Sequence, residues 1–151
     1  MRSYTIRDWV TIGLFGALWG VVEMTLGSVL HAIYPPLADT FLTGVVLGGI
    51  GAAVALTGRH FVPKRGSVAL IGVVTALLKL LGPGENKSGP VVAILMEGAL
   101  MEMALLLART PQRLPFVLGG ALAVAWNLPH RFLMMRLLFG KGVVEVYTKM
   151  V

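Results

Sequence analysis

Three of the seven acidic residues in this chain of 151 interrupt stretches that are otherwise apolar. Glu23 closes GLFGALWGVVE, while Glu97 and Glu102 stand in ILMEGALMEMALLLAR. Polar residues of other kinds recur in similar settings: Lys79 in ALLKLL, and Trp126, Asn127, His130 and Arg131 in AWNLPHRF. Carboxylates and cations placed among apolar residues can pair with one another, bind a polar solute or pass protons. Five residues separate Glu97 from Glu102, which on a helix puts them roughly 140° apart. Glu97 shares its stripe with Ala93, Ile94, Met101 and Ala104, and Glu102 shares its stripe with Gly98 and Arg109. Counted from Pro90 at ~1.5 Å per residue, Glu97 lies roughly 10 Å and Glu102 roughly 18 Å along that helix, so the two serve different depths.

Other chemistries find no pattern here. With no cysteine, thiolate metal sites, disulfides and cysteine catalysis are excluded. His31, His130 and the carboxylates lack the ligand spacing of a metal site. GPGENKSGP has glycines and a lysine but not the ending or strand-to-helix setting of a phosphate loop. No Ser-His-Asp or HExxH arrangement supports hydrolysis. The expectation is a protein that is not an enzyme and carries no metal or cofactor.

The elements that must position these residues follow from composition. Hydrophobic residues make up 56% and charged residues 13%, against ~25% charged in soluble domains, and mean hydropathy is +0.82. This predicts one all-α integral membrane domain over residues 1–151, a bundle of five to six transmembrane helices. Five apolar segments can be drawn, Trp9 to Ile33, Thr40 to Thr57, Ser67 to Leu81, Pro90 to Ala108 and Leu114 to Phe139. The first is read as a retained span, because it is long and lacks a polar cleavage region. The net charge of +6 is a topology signal, and nucleic acid is not expected as a partner.

Arg2, Arg7, Arg59, Lys64, Arg65, Arg109 and Arg113 mark one side as cytoplasmic, which leaves the segments 34–39 and 82–90 facing outward. Arg131, Arg136, Lys141 and Lys149 then fall on the wrong side. Either the fifth segment breaks near Asn127-Leu128-Pro129, or a bundle of six spans is incomplete here. In this orientation Glu23, His31, Lys79, Glu97, Asn127, His130 and Arg131 occupy the outer half, and Glu102 is nearly alone in the inner half. A channel or proton relay needs polar groups across the whole thickness. A one-sided set suggests a receptor site for a small polar solute.

Small residues set the helix contacts. Gly13 pairs with Ala17; Gly16, Gly20, Glu23 and Gly27 make a second stripe; Gly72, Ala76 and Lys79 share a face; Gly120, Ala123, Asn127 and Arg131 share another. Gly44, Gly48 and Ala52 repeat without any charge and read as packing material. Each polar residue also has a plainer reading. Glu23 and Lys79 suit an ion pair that fixes the bundle, Glu102 suits a bond to a neighbouring backbone or hydroxyl, Asn127 with Pro129 suits a helix break, and His130 and Arg131 suit contacts with headgroups.

GLFGALWGVVE, GPGENKSGP and PVVAILMEGALMEMALLL together resemble the substrate-binding S component of an energy-coupling factor (ECF) vitamin transporter. The resemblance covers nearly the whole chain through loose motifs. It implies six helices in a prokaryotic plasma membrane, crossed several times. It also implies a vitamin or related micronutrient held near the outer face, and docking onto a transmembrane coupling protein driven by two ATPase subunits. Solute contacts would fall on Glu23, Lys79, Glu97, Trp126, Asn127, His130 and Arg131, with residues 82–90 closing over them, and a thiamin-like cation would suit Glu97 and Glu23. The docking pair would be Gly13 and Ala17, or Gly16 and Gly20, which match the family's alanine pair in size. Two other classes suit the same residues: a membrane assembly subunit that binds no solute, and a small proton or cation transporter using Glu23, Glu97 and Glu102.

Overall fold

The computed structural model describes residues 3–33, 41–82, 87–107 and 113–139. These residues form five helices and, among them, no strand: α1 Ile6–Ile33, α2 Phe41–Phe61, α3 Ser67–Leu81, α4 Ser88–Leu107 and α5 Arg113–Phe139. Expected and observed segments correspond one to one, with differences at their ends that have local causes. α1 starts three residues before the expected Trp9 because Thr5 and Asp8 cap it reciprocally. The Thr5 amide and hydroxyl each donate to Asp8 Oδ2 at 2.6 Å, and the Asp8 amide donates to Thr5 Oγ1 at 3.3 Å. α2 continues past Thr57 through Arg59 and His60 to Phe61, and the chain then turns at Gly66, whose φ of 90° is a left-handed conformation natural to glycine. α3 ends where the Gly82 amide donates to the carbonyls of Leu78 and Lys79.

Of the two alternatives for the fifth segment, the break near Asn127-Leu128-Pro129 does not occur. α5 is one helix of 27 residues with Pro129 inside it. Proline removes only the bond to the carbonyl four residues earlier, that of Ala125, and packing against α4 and α2 holds the helix through this gap. Length and apolarity qualify three helices, not five, to cross a membrane, over Ile6–Leu30, Thr43–Phe61 and Ser88–Leu107. α3 is apolar but has 15 residues, about 22 Å of helix against ~30 Å of hydrocarbon. α5 is long enough but carries Asn127, Pro129, His130 and Arg131 in its second half.

α1 packs between α2 and α3, α3 against α4, α4 against α5, and α5 returns to α2. α2 alone touches all four other helices. Its glycines explain how: each removes the Cβ that would hold a neighbour away. The Trp19 indole lies directly on Gly51, and Phe15 and Ile71 close over Gly58. The same device brings α3 and α4 together at Gly72 and Gly98, and seats Val74 and Leu78 of α3 on Gly16 and Gly20 of α1. Around these contacts Ile12, Trp19, Ile71, Ile94 and Met101 are fully buried. The outward faces are apolar too. Val10, Leu14, Leu18 and Val21 on α1, Val73 and Leu77 on α3, Met103 and Leu106 on α4, and Val117 and Leu118 on α5 are all exposed. On α2 the exposed large apolar residue among the described side chains is Phe61, at its end, as its central place requires.

Candidate functional site

The polar residues collect at the two ends of the bundle, and the ends are built differently. At one end Glu102 closes the start of α3. Its Oε1 accepts from the Gly66 amide at 2.6 Å and its Oε2 from the Val68 amide at 3.0 Å, with Arg59 Nη1 3.5 Å away. The first amides of a helix have no partner within it and carry partial positive charge, so a carboxylate there satisfies both needs. Arg59 also donates to Ser67 Oγ at 3.1 Å and to the Lys64 carbonyl. Lys64 pairs with Asp8 and donates to the Ser3 carbonyl at 2.7 Å, while the Tyr4 hydroxyl donates to the Arg65 carbonyl at 2.7 Å. Arg59, Lys64 and Arg65, expected in the connection between the second and third segments, thus gather around Glu102. The N-terminal segment, the α2–α3 turn and α4 are tied together by charged residues, and Glu102 is the centre of that knot. Arg109, expected to share its face, lies outside the described residues.

At the other end, side chains from α1, α3, α4 and α5 meet. Lys79 Nζ lies 3.5 Å from Glu23 Oε2 and donates to the Glu23 carbonyl at 3.1 Å. The two therefore form the interhelical ion pair that is their plainer reading. Glu97 is 3% exposed and is held by Asn127, whose Nδ2 donates to Glu97 Oε1 at 2.7 Å and to the Ala123 carbonyl at 3.3 Å. Glu97 is also within electrostatic reach of Glu23.

α2 supplies the floor. A Cβ on Gly44 would stand 2.9 Å from Asn127 Oδ1, and one on Gly48 would stand 2.7 Å from Asn127 Nδ2 and 3.1 Å from Glu97 Oε1. These glycines do more than pack helices: they leave room for Glu97 and Asn127 to meet against α2. The sequence shows the four-residue repeat, but nothing in it says that a polar pair on two other helices lies opposite.

His130 is also buried, with Nε2 3.0 Å from the Gly89 carbonyl at the start of α4. A carbonyl can only accept, so Nε2 carries the hydrogen and, in the neutral ring, Nδ1 is a bare acceptor. The Trp126 ring lies 5.8 Å from the His130 ring, tilted by 41°. Four buried polar atoms among the described residues have no partner: Trp19 Nε1, against Gly51 in the core, and at this end Glu97 Oε2, Trp126 Nε1 and His130 Nδ1.

The structure places six of the seven expected solute contacts in three pairs: Glu23 with Lys79, Glu97 with Asn127, and Trp126 with His130. The side chains of Arg131 and His31 lie outside the described residues, as do residues 83–86 of the expected closing loop. Of the expected docking residues, Gly16 and Gly20 are covered by α3, whereas a Cβ on Gly13 would meet nothing within 4 Å. Among the described residues no group of three or more His, Asp or Glu is placed to hold a metal ion.

Fold and site together define an all-helical bundle with an apolar exterior and a buried, incompletely partnered polar centre near one end. Compared with family models, curated proteins and solved structures, the chain matches none.

Proposed function

We propose that this chain is a membrane-embedded binding subunit for a small polar solute, acting as the S component of an energy-coupling factor importer. The observation that carries the reading is the contrast in hydrogen bonding. Buried polar groups are nearly always partnered, yet Glu97 of α4, which meets Asn127, and Trp126 and His130 on either side of Asn127 on α5 each leave one buried atom without a partner. A solute would supply those partners. The apolar exterior and three helices of spanning length support insertion in a membrane, the plasma membrane of a prokaryote in this reading. The positive-inside rule then turns the Glu102 end, with Arg59, Lys64 and Arg65, to the cytoplasm and the Glu97 end outward. Uptake would require partners, a transmembrane coupling protein and two ATPase subunits.

The test uses the purified protein in detergent against a panel of vitamins and their precursors, read by thermal shift and by mass spectrometry of retained small molecules. The expected result is one compound that raises the melting temperature of the wild type and not of Glu97→Ala, with helicity unchanged. Failure of every compound, with nothing retained, overturns the receptor reading. A second reading, an assembly subunit without a solute, is favoured by the completed Glu23–Lys79 pair and by the uncovered Gly13. It predicts that Glu97→Ala costs a co-purifying chain and no small molecule.

A further inference from the structure

The unpartnered atoms define what would complete them, and this inference rests on the receptor reading above. Glu97 Oε2 can only accept while the carboxylate is charged, and the neutral His130 ring offers Nδ1 as a second acceptor, because its hydrogen is committed to the Gly89 carbonyl. Trp126 Nε1 is the one donor of the three. Trp126 and His130 stand about one turn apart on α5, and Glu97 of α4 meets Asn127 between them. When Glu97 is ionised, its charge has no counter-charge among the described side chains at this end. Lys79 is engaged by Glu23 through both its carboxylate and its carbonyl, and Glu97 has no described cationic partner. Asn127 gives Glu97 a hydrogen bond but no charge. A buried carboxylate without a counter-charge is costly in a bundle with an apolar exterior.

We infer that the solute carries a positive charge on a group bearing N–H donors, such as a primary ammonium or an amidinium, and places it against Glu97 Oε2 with His130 Nδ1 as the neighbouring acceptor. A neutral donor would leave the charge of Glu97 uncompensated. A quaternary ammonium would compensate it but donate nothing to either acceptor. The indole N–H of Trp126 remains for an acceptor elsewhere on the solute.

Three ring compounds of similar size separate these cases: benzamidinium, benzamide and phenyltrimethylammonium, titrated by calorimetry into wild type and Glu97→Gln. The expected result is that benzamidinium binds the wild type and loses at least about tenfold in affinity in Glu97→Gln, while the other two bind more weakly and lose nothing. Equal binding of benzamide or of the quaternary cation overturns the inference and leaves the receptor reading standing. So does a solute found in the vitamin panel that is neutral, anionic or quaternary. Should none of the three compounds bind, the charge of the panel's solute decides: a cation with N–H donors whose affinity falls in Glu97→Gln upholds the inference. Absence of binding by these compounds and by the whole panel overturns both readings together.

Discussion

Glu97 and Glu102 stand five residues apart on the same helix, are both buried, and lead opposite lives. Each oxygen of Glu102 accepts a backbone amide, and Arg59 supplies a charge beside it. Glu97 has one side-chain amide on one oxygen and nothing on the other. The difference arises from what faces them. The helical angle between them turns Glu102 to the start of α3, where unbonded amides need an anion, and turns Glu97 to Asn127 of α5 across two glycines of α2. A carboxylate that completes a helix is architecture; one that is left incomplete is available for something that arrives later.

The largest effect is therefore expected at the finished site. Glu102→Ala leaves two amides and the Arg59 guanidinium without their acceptor, and should cost about 3–5 kcal/mol, measured by reversible unfolding in mixed micelles. Glu102→Gln keeps the shape but turns one acceptor into a donor facing an amide, for a loss of about 1–3 kcal/mol. A negligible loss in both variants would remove the basis for treating Glu102 as structural.

Next comes the floor of the unfinished site. Gly48→Ala puts a carbon 2.7 Å from Asn127 Nδ2 and 3.1 Å from Glu97 Oε1, so the Asn127 amide must shift and the Glu97 oxygen must give by a few tenths of an ångström. Overpacking of this kind costs about 1–3 kcal/mol. The Glu97–Asn127 bond should be lost with it, so solute binding should fall more steeply than stability does. If binding survives Gly48→Ala, the pair is not part of the site.

How much of this was legible beforehand differs between the two carboxylates for a physical reason. Helical periodicity is a property of one segment, so the five elements and the separation of Glu97 from Glu102 could be read from the sequence, whereas the second polar cluster around Glu102 could not. Pairing is a property of two segments. That Glu102 would meet Gly66 and Val68, or that Gly44 and Gly48 would lie under Asn127, depends on how helices rotate against each other, and no single stripe encodes that. Local chemistry that was missed, the Thr5–Asp8 cap, was visible in principle as Thr and Asp three residues apart. The continuity of α5 through Pro129 was not, because tertiary packing decides whether a proline breaks a helix.

Glu97→Gln reverses the sign of the Glu102 experiment. At a pH where Glu97 is ionised, glutamine can still accept from Asn127 through its amide oxygen while removing a buried charge that no described side chain balances, so stability without solute should rise by about 1 kcal/mol. The same substitution at two carboxylates one and a half turns apart would then stabilise at one and destabilise at the other. A loss at Glu97 comparable to that at Glu102 would mean that Glu97 already has its counter-charge, and the centre would be structural at both ends.

The smallest effect on folding belongs to Gly13, and it probes a third region. Since a Cβ there meets nothing within 4 Å, Gly13→Ala should change unfolding stability by no more than about 0.5 kcal/mol. Gly16→Ala, which drives a carbon to 2.6 Å from Val74, should cost several times as much. The two glycines are three residues apart on α1, yet one is a contact already made and the other a contact open to a partner. Gly13→Leu keeps the bundle intact and blocks the close approach that a partner helix would need. Its yield in co-purification with a coupling subunit should fall while its binding of solute is unchanged. Retention of the partner by Gly13→Leu would move the docking face off this side of α1 without touching the argument about Glu97.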